Sequence, residues 1–268
     1  MSKIVDQHYL LHDQYRNSSN LDARISLHKR FSTNMYGWDR WCFDLFQIQT
    51  TARLLELGCG PASLWLENRS RIPQDWDIAL SDLSAGMIDR ARENLQEVDR
   101  SFQFEVIDAQ SIPFDDAHFD AVIARHMLYH VPDRSKALQE IRRVLKPQGR
   151  FYCTTNGHTH LRELHDLMRR FDPTTDFGWG KTSAEIFSLA DGAELAPYFS
   201  EITVQRYADD LIVTEVEPLV NYIFSMTTAA GLIDRRRAEL TRFIQNEMAK
   251  TGSIHITKDT GMFIPTRT

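Results

Sequence analysis

A pair of glycines after an apolar run is the feature of this sequence with the clearest chemistry. Gly58 and Gly60 flank Cys59 at the end of the run ARLLEL (52–57), and Glu56 lies inside that run. Glycines let a bound molecule approach the backbone closely, and the N–H groups at a helix start attract polar groups of a ligand. A carboxylate inside an apolar strand is costly unless it is paired. We therefore expect a nucleotide-type cofactor at this turn, with Glu56 serving the same site.

A dinucleotide site is one alternative at the glycine turn. The dinucleotide fingerprint requires Gly-x-Gly-x-x-Gly or Ala, and counting from Gly58 the third position is Ser63. The pattern fails at the residue that lets the helix and the strand pack closely. A nicotinamide-dependent oxidoreductase is therefore the less favoured interpretation.

Apolar runs that alternate with amphipathic segments must position this turn. Strands are predicted at 52–57, 77–80, 102–107, 119–124, 150–155 and 201–207, and helices at 61–69, 84–98 and 134–146. Pro61 suits the first turn of the helix after the glycines, while Ser84 and Asp133 are favourable N-caps. This alternation predicts an α/β fold: a Rossmann-like, mostly parallel seven-stranded sheet with helices on both faces.

The segments around this pattern are predicted to cover the sheet. Residues 1–50 predict an N-terminal helical lid, and residues 51–268 a single sheet domain with a helical cap insertion at about 156–200. Helices are expected at 20–30 and 36–48 in the lid, at 160–171 and 183–190 in the cap, and at 215–230 and 234–250 after it. Residues 253–264 predict a last strand or a hairpin.

Five motifs in order resemble those of the class I S-adenosylmethionine (SAM)-dependent methyltransferases. The segment from Glu56 to Gly60 resembles the first motif of that family, in which an acidic residue precedes a Gly-x-Gly turn. The other four are LSDLSAGMIDRAR (80–92), VIDAQSIPF (106–114), FDAVIARHMLYHVPD (119–133) and ALQEIRRVLKPQGRF (137–151). Ala62 departs from the pattern, because many relatives carry a third glycine there. The resemblance covers about residues 50–156 and implies methyl transfer from SAM, with S-adenosylhomocysteine as product.

The resemblance also implies cofactor contacts at the carboxyl ends of the strands. Asp82 would accept the two ribose hydroxyls, and Asp108 the adenine amine, with the N–H of Ala109 or Gln110 facing a ring nitrogen. For both acids the alternative is a turn residue before a helix. The cofactor set expected in full is Tyr9, Glu56, Gly58, Cys59, Gly60, Asp82, Leu83, Met87, Asp108, Ala109, Gln110 and Arg125. Either Arg24 or Arg53 would pair with the cofactor carboxylate.

Histidines and aromatic residues are the candidates for handling the methyl acceptor. Histidine suits proton transfer near neutral pH, so His126 is predicted to be catalytic, together with Tyr129 and with Tyr15 of the lid. The predicted acceptor-binding residues are Phe114, His130, Asn156, His158 and Trp179. Each of these has a structural alternative, which is loop packing for the histidines and core filling or helix anchoring for the aromatic residues.

Composition narrows the classes of function. The 268-residue chain carries 31 basic and 37 acidic residues, a net charge of −6, which disfavours nucleic acid as a partner. Cys42, Cys59 and Cys153 have neither metal-ligand spacing nor an even count, so neither a metal site nor a disulfide framework is expected. No run approaches the roughly 20 apolar residues that span a bilayer. We therefore expect a cytoplasmic chain with no membrane partner, and monomer and homo-oligomer remain equally open.

The leading interpretation is a methyltransferase acting on a nitrogen or an oxygen of a metabolite or natural-product intermediate by in-line displacement. An RNA or protein methyltransferase is a second enzyme class. It is disfavoured by the charge and by the sequence Arg125-His126-Met127-Leu128, which stands where enzymes that methylate nucleic-acid amino groups carry an Asn/Asp-Pro-Pro-Tyr type motif. A non-catalytic relative that binds SAM is the alternative from another class.

Overall fold

A seven-stranded sheet forms the centre of the protein. The computed structural model describes residues 3–14, 19–173, 182–226 and 236–267, and everything below concerns these residues. Their strands are β1 (Ala52–Leu57), β2 (Trp76–Asp82), β3 (Gln103–Val106), β4 (Phe119–Arg125), β5 (Leu145–Asn156), β6 (Ser200–Tyr207), β7 (Asp210–Val213), β8 (Ile254–Thr257) and β9 (Thr260–Thr266). The main sheet has the order β3-β2-β1-β4-β5-β9-β6, and β7 pairs with β8 in a separate sheet. Strands β1 to β5 are parallel, and β9 is antiparallel to β5 and β6.

Helices cover both faces of the main sheet, as predicted. The helices are α1 (Gln7–Tyr9), α2 (Ser19–Phe31), α3 (Trp38–Asp44), α4 (Ser63–Glu67), α5 (Ala85–Leu95), α6 (Arg134–Val144), α7 (Arg162–Phe171), α8 (Ser183–Ile186), α9 (Val216–Met226) and α10 (Arg237–Thr251). Leu55 and Leu57 of β1 belong to the core that α6 covers, whereas Leu54 belongs to the core under α3, α4 and α5. Alternate residues of one strand thus serve opposite faces. The predicted fold class is confirmed.

The predicted helix starts at Ser84 and Asp133 are also confirmed. The side chain of Ser84 accepts a hydrogen bond from the N–H of Met87, and that of Asp133 accepts one from Lys136. These caps fix the starts of the two helices that follow β2 and β4. They therefore set where the loops at the carboxyl edge of the sheet end.

Two predicted elements were wrong in detail. The helix after the glycine turn begins at Ser63 rather than Pro61, because Ala62 adopts a left-handed conformation with φ of 59°. Residues 253–264 form neither one strand nor a hairpin, since β8 pairs with β7 and β9 inserts between β5 and β6. The sequence pattern did not predict strand β7. Because β8 pairs with β7, it belongs to the separate two-stranded sheet and not to the main sheet.

A third hydrophobic core lies outside the main sheet. It joins Leu27 and Phe31 of α2 to residues of α7, α9 and α10, and to β7 and β8. Because α2 shares this core with late elements of the chain, the N-terminal segment is fixed against the region beyond the cap. Helices α2, α7 and α9 of this group also contribute residues to a cavity at the carboxyl edge of the main sheet.

Candidate functional site

A cavity of about 1470 Å³ lies at the carboxyl edge of the main sheet. Residues at the ends of β1, β2, β4 and β5 form its floor, and residues of α2, α7, α8 and α9 contribute to its walls. Ligands of open α/β sheets bind at this edge. Ligand pockets typically measure roughly 300–1000 Å³, so this cavity has room for two small molecules.

The glycine turn lies on the floor of this cavity. Gly58 and Gly60 have φ of 68° and 53°, a region that favours glycine. A Cβ on Gly58 would lie 2.8 Å from the Cβ of Met127, so this position has no space for a side chain. The N–H of Cys59 donates to the carbonyl of Ser81 at 2.8 Å, which attaches the turn to β2. The turn therefore exposes backbone, rather than side chains, to the cavity.

Asp82, the last residue of β2, lies directly beside the turn. Its Oδ2 accepts the N–H of Gly60 at 3.0 Å, and its Oδ1 accepts the N–H of Ser84 at 2.9 Å. Burial raises the pKa of this carboxyl group. Each carboxylate oxygen offers about two acceptor positions, so both oxygens keep capacity for a ligand. The sequence left open whether Asp82 is a turn residue before a helix or a cofactor-binding acid. In the structure it forms the turn contacts and also lines the cavity.

Asp108 follows β3 and faces the same cavity. Its Oδ1 accepts the N–H of Gln110 at 2.9 Å, and its Oδ2 accepts Nε2 of Gln7 at 3.1 Å. Burial raises the pKa of Asp108, but these hydrogen bonds outweigh burial and lower it. Because Asp108 already takes the N–H of Gln110, the expected contact of Gln110 with a ring nitrogen is not supported. Of the two residues whose N–H could face the ring nitrogen, Ala109 and Gln110, Ala109 is the one that lines the cavity.

Glu56 lies beneath the turn, where its completely buried side chain belongs to an ion network. Its Oε2 accepts Nε1 of Trp65 at 2.6 Å, and its Oε1 accepts Nε of Arg125 at 2.9 Å. Nη1 of Arg125 also donates to Oδ1 of Asp39 at 2.5 Å. Burial lowers the pKa of Arg125, but the two carboxylates outweigh burial and raise it, so the guanidinium stays charged. Arg125 lines the cavity as predicted, while its guanidinium is bound to two protein carboxylates.

His126 and Tyr129 lie together on the cavity wall. His126 has φ of 50°, and its N–H donates to the carbonyl of Thr154 at 3.1 Å. Its ring lies 5.4 Å from that of Trp38 and 6.4 Å from that of Tyr129. Burial, followed by the charges of His160 and Arg125, lowers the pKa of His126 to about 3. The imidazole is therefore neutral at physiological pH and a weak base.

His130 connects the loop after β4 to the N-terminus. Its Nδ1 lies 2.8 Å from the carbonyl oxygen of Ile4, so this nitrogen carries the proton and donates. Burial lowers its pKa to about 4. His130 lines the cavity and also has the loop-packing contact that its alternative interpretation expected. Tyr9 of α1 lines the cavity as well, whereas Tyr15 lies outside the described residues.

The remaining predicted acceptor residues divide into three groups. Asn156 and His158 line the cavity, where they contact Ser183 at 3.0 Å and Ser188 at 3.2 Å respectively. Phe114 does not line it, because its ring packs edge-on against Phe119, 4.9 Å away. This packing favours the core-filling alternative, and acceptor binding by Phe114 stays a prediction. Trp179 lies outside the described residues.

The two arginines proposed for a cofactor carboxylate lie near opposite ends of strand β1. Arg24 of α2 lines the cavity, and its Nη2 donates to the carbonyl of Ser225 at 2.6 Å. Arg53 is exposed at the start of β1, and its N–H donates to Asp120 at 2.8 Å. Since the cavity lies at the opposite end of β1, Arg24 is the candidate that the geometry favours.

Sequence reasoning missed several residues of the cavity wall. Trp38 and Asp39 of α3 and Lys258 of the β8–β9 turn line it, and Lys258 forms an ion pair with the buried Asp209. Asp39 in the first turn of a helix resembles an ordinary favourable interaction with the helix dipole. Nothing in its local sequence indicated that Arg125, 86 positions away, would bind it.

Membrane-spanning helices and metal-ligand clusters are both absent from the described ranges. No helix in them is both long enough and apolar enough to cross a membrane. Within the same residues, no three or more histidine, cysteine, aspartate or glutamate side chains are grouped so that they could hold a metal ion.

Comparison with known proteins gives a family match for the central part of the chain. Residues 55–153 match the model of a family described as a methyltransferase domain. A curated relative, the ubiquinone/menaquinone biosynthesis C-methyltransferase UbiE of Methylococcus capsulatus, is 30% identical over 135 residues, 48% of this chain and 54% of that protein. The chain thus spans about half the length of the curated relatives it matches.

Solved structures resemble the chain over most of its length. The YcgJ protein of Bacillus subtilis has a TM-score of 0.57 at 19% identity, covering 85% of this chain and 97% of that one. A phosphoethanolamine N-methyltransferase of Haemonchus contortus, solved with S-adenosyl-L-methionine, has a TM-score of 0.59 at 19% identity, covering 97% and 59%. At such identities the likeness concerns the fold. The chain therefore has the Rossmann-like fold of these methyltransferases, and its residues 55–153 are similar to a methyltransferase domain.

Proposed function

We propose that this chain is a SAM-dependent methyltransferase that methylates a nitrogen or an oxygen of a small molecule bound in the cavity. The observation that carries the proposal is the contact of Gly60 with Asp82, where open backbone and a carboxylate with spare acceptor capacity meet on the cavity floor. Both residues lie within the matched methyltransferase domain. When bound, SAM supplies a methyl group activated by its sulfonium.

The residues along this edge fit the groups of SAM. The two oxygens of Asp82 suit a pair of ribose hydroxyls, and Asp108 with the N–H of Ala109 suits the edge of adenine. Burial raises the pKa of Asp82, so a hydroxyl pair that donates to its oxygens would stabilise the charged form. The buried side chain of Met87 gives the cavity an apolar surface beside these polar groups.

The opposite part of the cavity is proposed to hold the methyl acceptor. His126, Tyr129, His130, Asn156 and His158 all line it. With a pKa of about 3, His126 is a weak general base, and this favours orienting the acceptor by hydrogen bonding over removing a proton from it. Methyl transfer by in-line displacement depends on such positioning and on excluding water.

We interpret residues 1–50 as a lid and residues 156–200 as a cap over this site. Supporting contacts are the hydrogen bond from His130 to Ile4, that from Gln7 to Asp108, and the position of Arg24 on the cavity wall. In this interpretation, the N-terminal segment excludes water from the cavity during transfer. The buried thiols of Cys42, Cys59 and Cys153 favour a reducing, cytoplasmic location.

Carbon is a second candidate acceptor. The curated relatives in the comparison are C-methyltransferases, although each is matched over about half its length. A neutral imidazole beside aromatic rings, as at His126, Trp38 and Tyr129, is compatible with a flat acceptor that reacts through carbon or oxygen. The position of the transferred methyl in the product decides among nitrogen, oxygen and carbon.

Calorimetry followed by a turnover assay tests the proposal. The protein should bind S-adenosylhomocysteine, and with methyl-labelled SAM and a panel of phenols, amines and enolisable ketones it should release S-adenosylhomocysteine and label one acceptor. Absence of binding would refute the cofactor assignment. Tight binding without turnover on the panel or on a metabolite extract would instead favour a non-catalytic SAM-binding protein.

A further inference from the structure

The ion network under the glycine turn carries more negative than positive charge. Arg125 binds two carboxylates, Oε1 of Glu56 through Nε and Oδ1 of Asp39 through Nη1. Both oxygens of Glu56 face donors, Trp65 and Arg125, so neither oxygen has a neighbour that would accept from a protonated carboxyl group. Burial raises the pKa of Glu56, whereas Arg125 and Trp65 oppose that shift by favouring the ionised form. With Glu56 ionised between these two donors, one cation faces two anions. The network has a net charge of −1.

Only one of these carboxylates is open to the cavity. The side chain of Glu56 is fully buried and that of Arg125 is 11% exposed, whereas that of Asp39 is 27% exposed. Among the described residues, Oδ2 of Asp39 accepts no hydrogen bond, since its contact with Arg125 is through Oδ1. The uncompensated charge of the network therefore faces the cavity at Asp39.

Asp39 is held at the same part of the cavity as the glycine turn. Its Oδ1 and Oε1 of Glu56 both accept from Arg125, and Glu56 is two residues before Gly58. Nearby Arg40 does not neutralise Asp39, because it forms an ion pair with Glu67. A ligand whose adenosine lies against Asp82 and Asp108 and whose remainder crosses the turn would bring its other end toward α3.

We propose that Asp39 binds the α-ammonium group of the methionine part of the cofactor. This inference rests on the proposed function, and it assigns to α3 a contact that Glu56 cannot make because its side chain is fully buried and does not line the cavity. A buried network with one excess negative charge is stabilised by a cation at its open end. Asp39 thereby makes the N-terminal segment part of the cofactor site.

A binding cycle with two ligands and two proteins isolates this contact. The ligands are S-adenosylhomocysteine and its deaminated analogue, which keeps the carboxylate, and the proteins are the full chain and its Asp39→Asn variant. In the unmodified chain, loss of the ammonium should weaken binding at least 10-fold by calorimetry. In Asp39→Asn the two ligands should bind with affinities within about 3-fold of each other, because the pairwise interaction is absent.

Two controls separate this contact from damage to the site. Asparagine keeps an oxygen that can accept from Arg125, and 5′-methylthioadenosine, which lacks the amino-acid part, should bind both proteins equally. Asp44→Asn changes the same residue type on the same helix outside the cavity, and it should leave the ratio between the ligands unchanged. Asp39→Glu should recover preference for the ammonium ligand.

The outcomes are distinct. If the unmodified chain binds S-adenosylhomocysteine but not more tightly than its deaminated analogue, the inference is overturned while the proposed function stands. An Asp39→Asn variant that keeps the preference, or that binds S-adenosylhomocysteine more tightly, also overturns it. If the chain binds neither S-adenosylhomocysteine nor 5′-methylthioadenosine, the proposed function and this inference fail together.

Discussion

Partly buried histidines around the cavity predict that the protein loses stability in mild acid. Burial is the largest cause that lowers the pKa of His28 and His126 to about 3 and that of His130 to about 4. In the unfolded chain a histidine has a pKa of about 6.5. As the pH falls below that value, the unfolded chain binds protons that the folded chain cannot bind. The free energy of unfolding must therefore fall with the pH, down to the folded pKa values.

The size of the effect follows from proton linkage. Each such histidine changes the free energy of unfolding by about 1.4 kcal/mol per pH unit once it is fully protonated in the unfolded chain. Between pH 7.5 and 5.5 each contributes about 1.4 kcal/mol, so the three together contribute about 4 kcal/mol. Because they line a cavity that water can enter, we expect about 2–4 kcal/mol. A typical domain has about 5–15 kcal/mol in total, so this loss is large.

Urea unfolding at the two pH values, followed by circular dichroism at constant ionic strength, measures this difference. His126→Asn should reduce it by about one quarter, because burial also lowers the pKa of His160 and four histidines then share the effect. Asparagine tolerates the left-handed backbone there. His255→Asn, at a histidine whose side chain is 51% exposed, is the matched control and should leave the difference unchanged. A loss below 1 kcal/mol in the unmodified chain, or an undiminished loss in His126→Asn, would refute the reasoning.

Three other substitutions test the site and its surroundings. Asp82→Asn should weaken S-adenosylhomocysteine binding by about 1.5–3 kcal/mol in calorimetry, whereas Asp89→Asn, at a side chain 72% exposed on the adjoining helix, should not change it. Gly58→Ala should lower the free energy of unfolding by about 2–5 kcal/mol, because a Cβ there meets a methionine side chain at 2.8 Å. Gly252 has a similar φ but open space around it, so Gly252→Ala should lower the free energy of unfolding by only about 1–2 kcal/mol. Phe114→Leu should cost about 1 kcal/mol of stability in the same assay, because Phe114 packs against the core. It should leave the affinity for S-adenosylhomocysteine unchanged. A loss of affinity would show that Phe114 contributes to the binding site.

The parts of the fold that sequence predicted are those determined by nearby residues. The helix after β2 begins at Ser84 because one side chain caps an N–H three residues later, and that pairing is visible in the sequence itself. The split between β8 and β9 depends instead on pairing with β7, some 45 residues earlier in the chain. Ala62 is intermediate, because its left-handed φ is one that favours glycine, yet its identity as alanine suggested an ordinary helix start.

The same distinction applies within the candidate site. Gly58, Gly60 and Asp82 act through backbone geometry at strand ends, so their order in the sequence was enough to place them together. At Gln110 and Phe114 the structure gives partners other than those expected, since the backbone N–H of Gln110 donates to Asp108 and the ring of Phe114 packs against the core. Their roles in binding stay predictions. The order of residues in the sequence predicts where the backbone lies at a sheet edge. It does not predict which neighbour a loop N–H or a side chain contacts.

The network at Arg125 shows how these two kinds of information combine. Sequence reasoning correctly required a partner for Glu56, because a lone carboxylate in a strand is costly, but it assigned Arg125 to the cofactor. In the fold one guanidinium cannot neutralise both Glu56 and Asp39. Because Arg125 pairs with the buried Glu56, one negative charge stays uncompensated at Asp39 on the cavity surface. An acid placed inside β1 therefore has its electrostatic consequence on α3, and it is there, rather than at Glu56, that a cationic group of a ligand would be recognised.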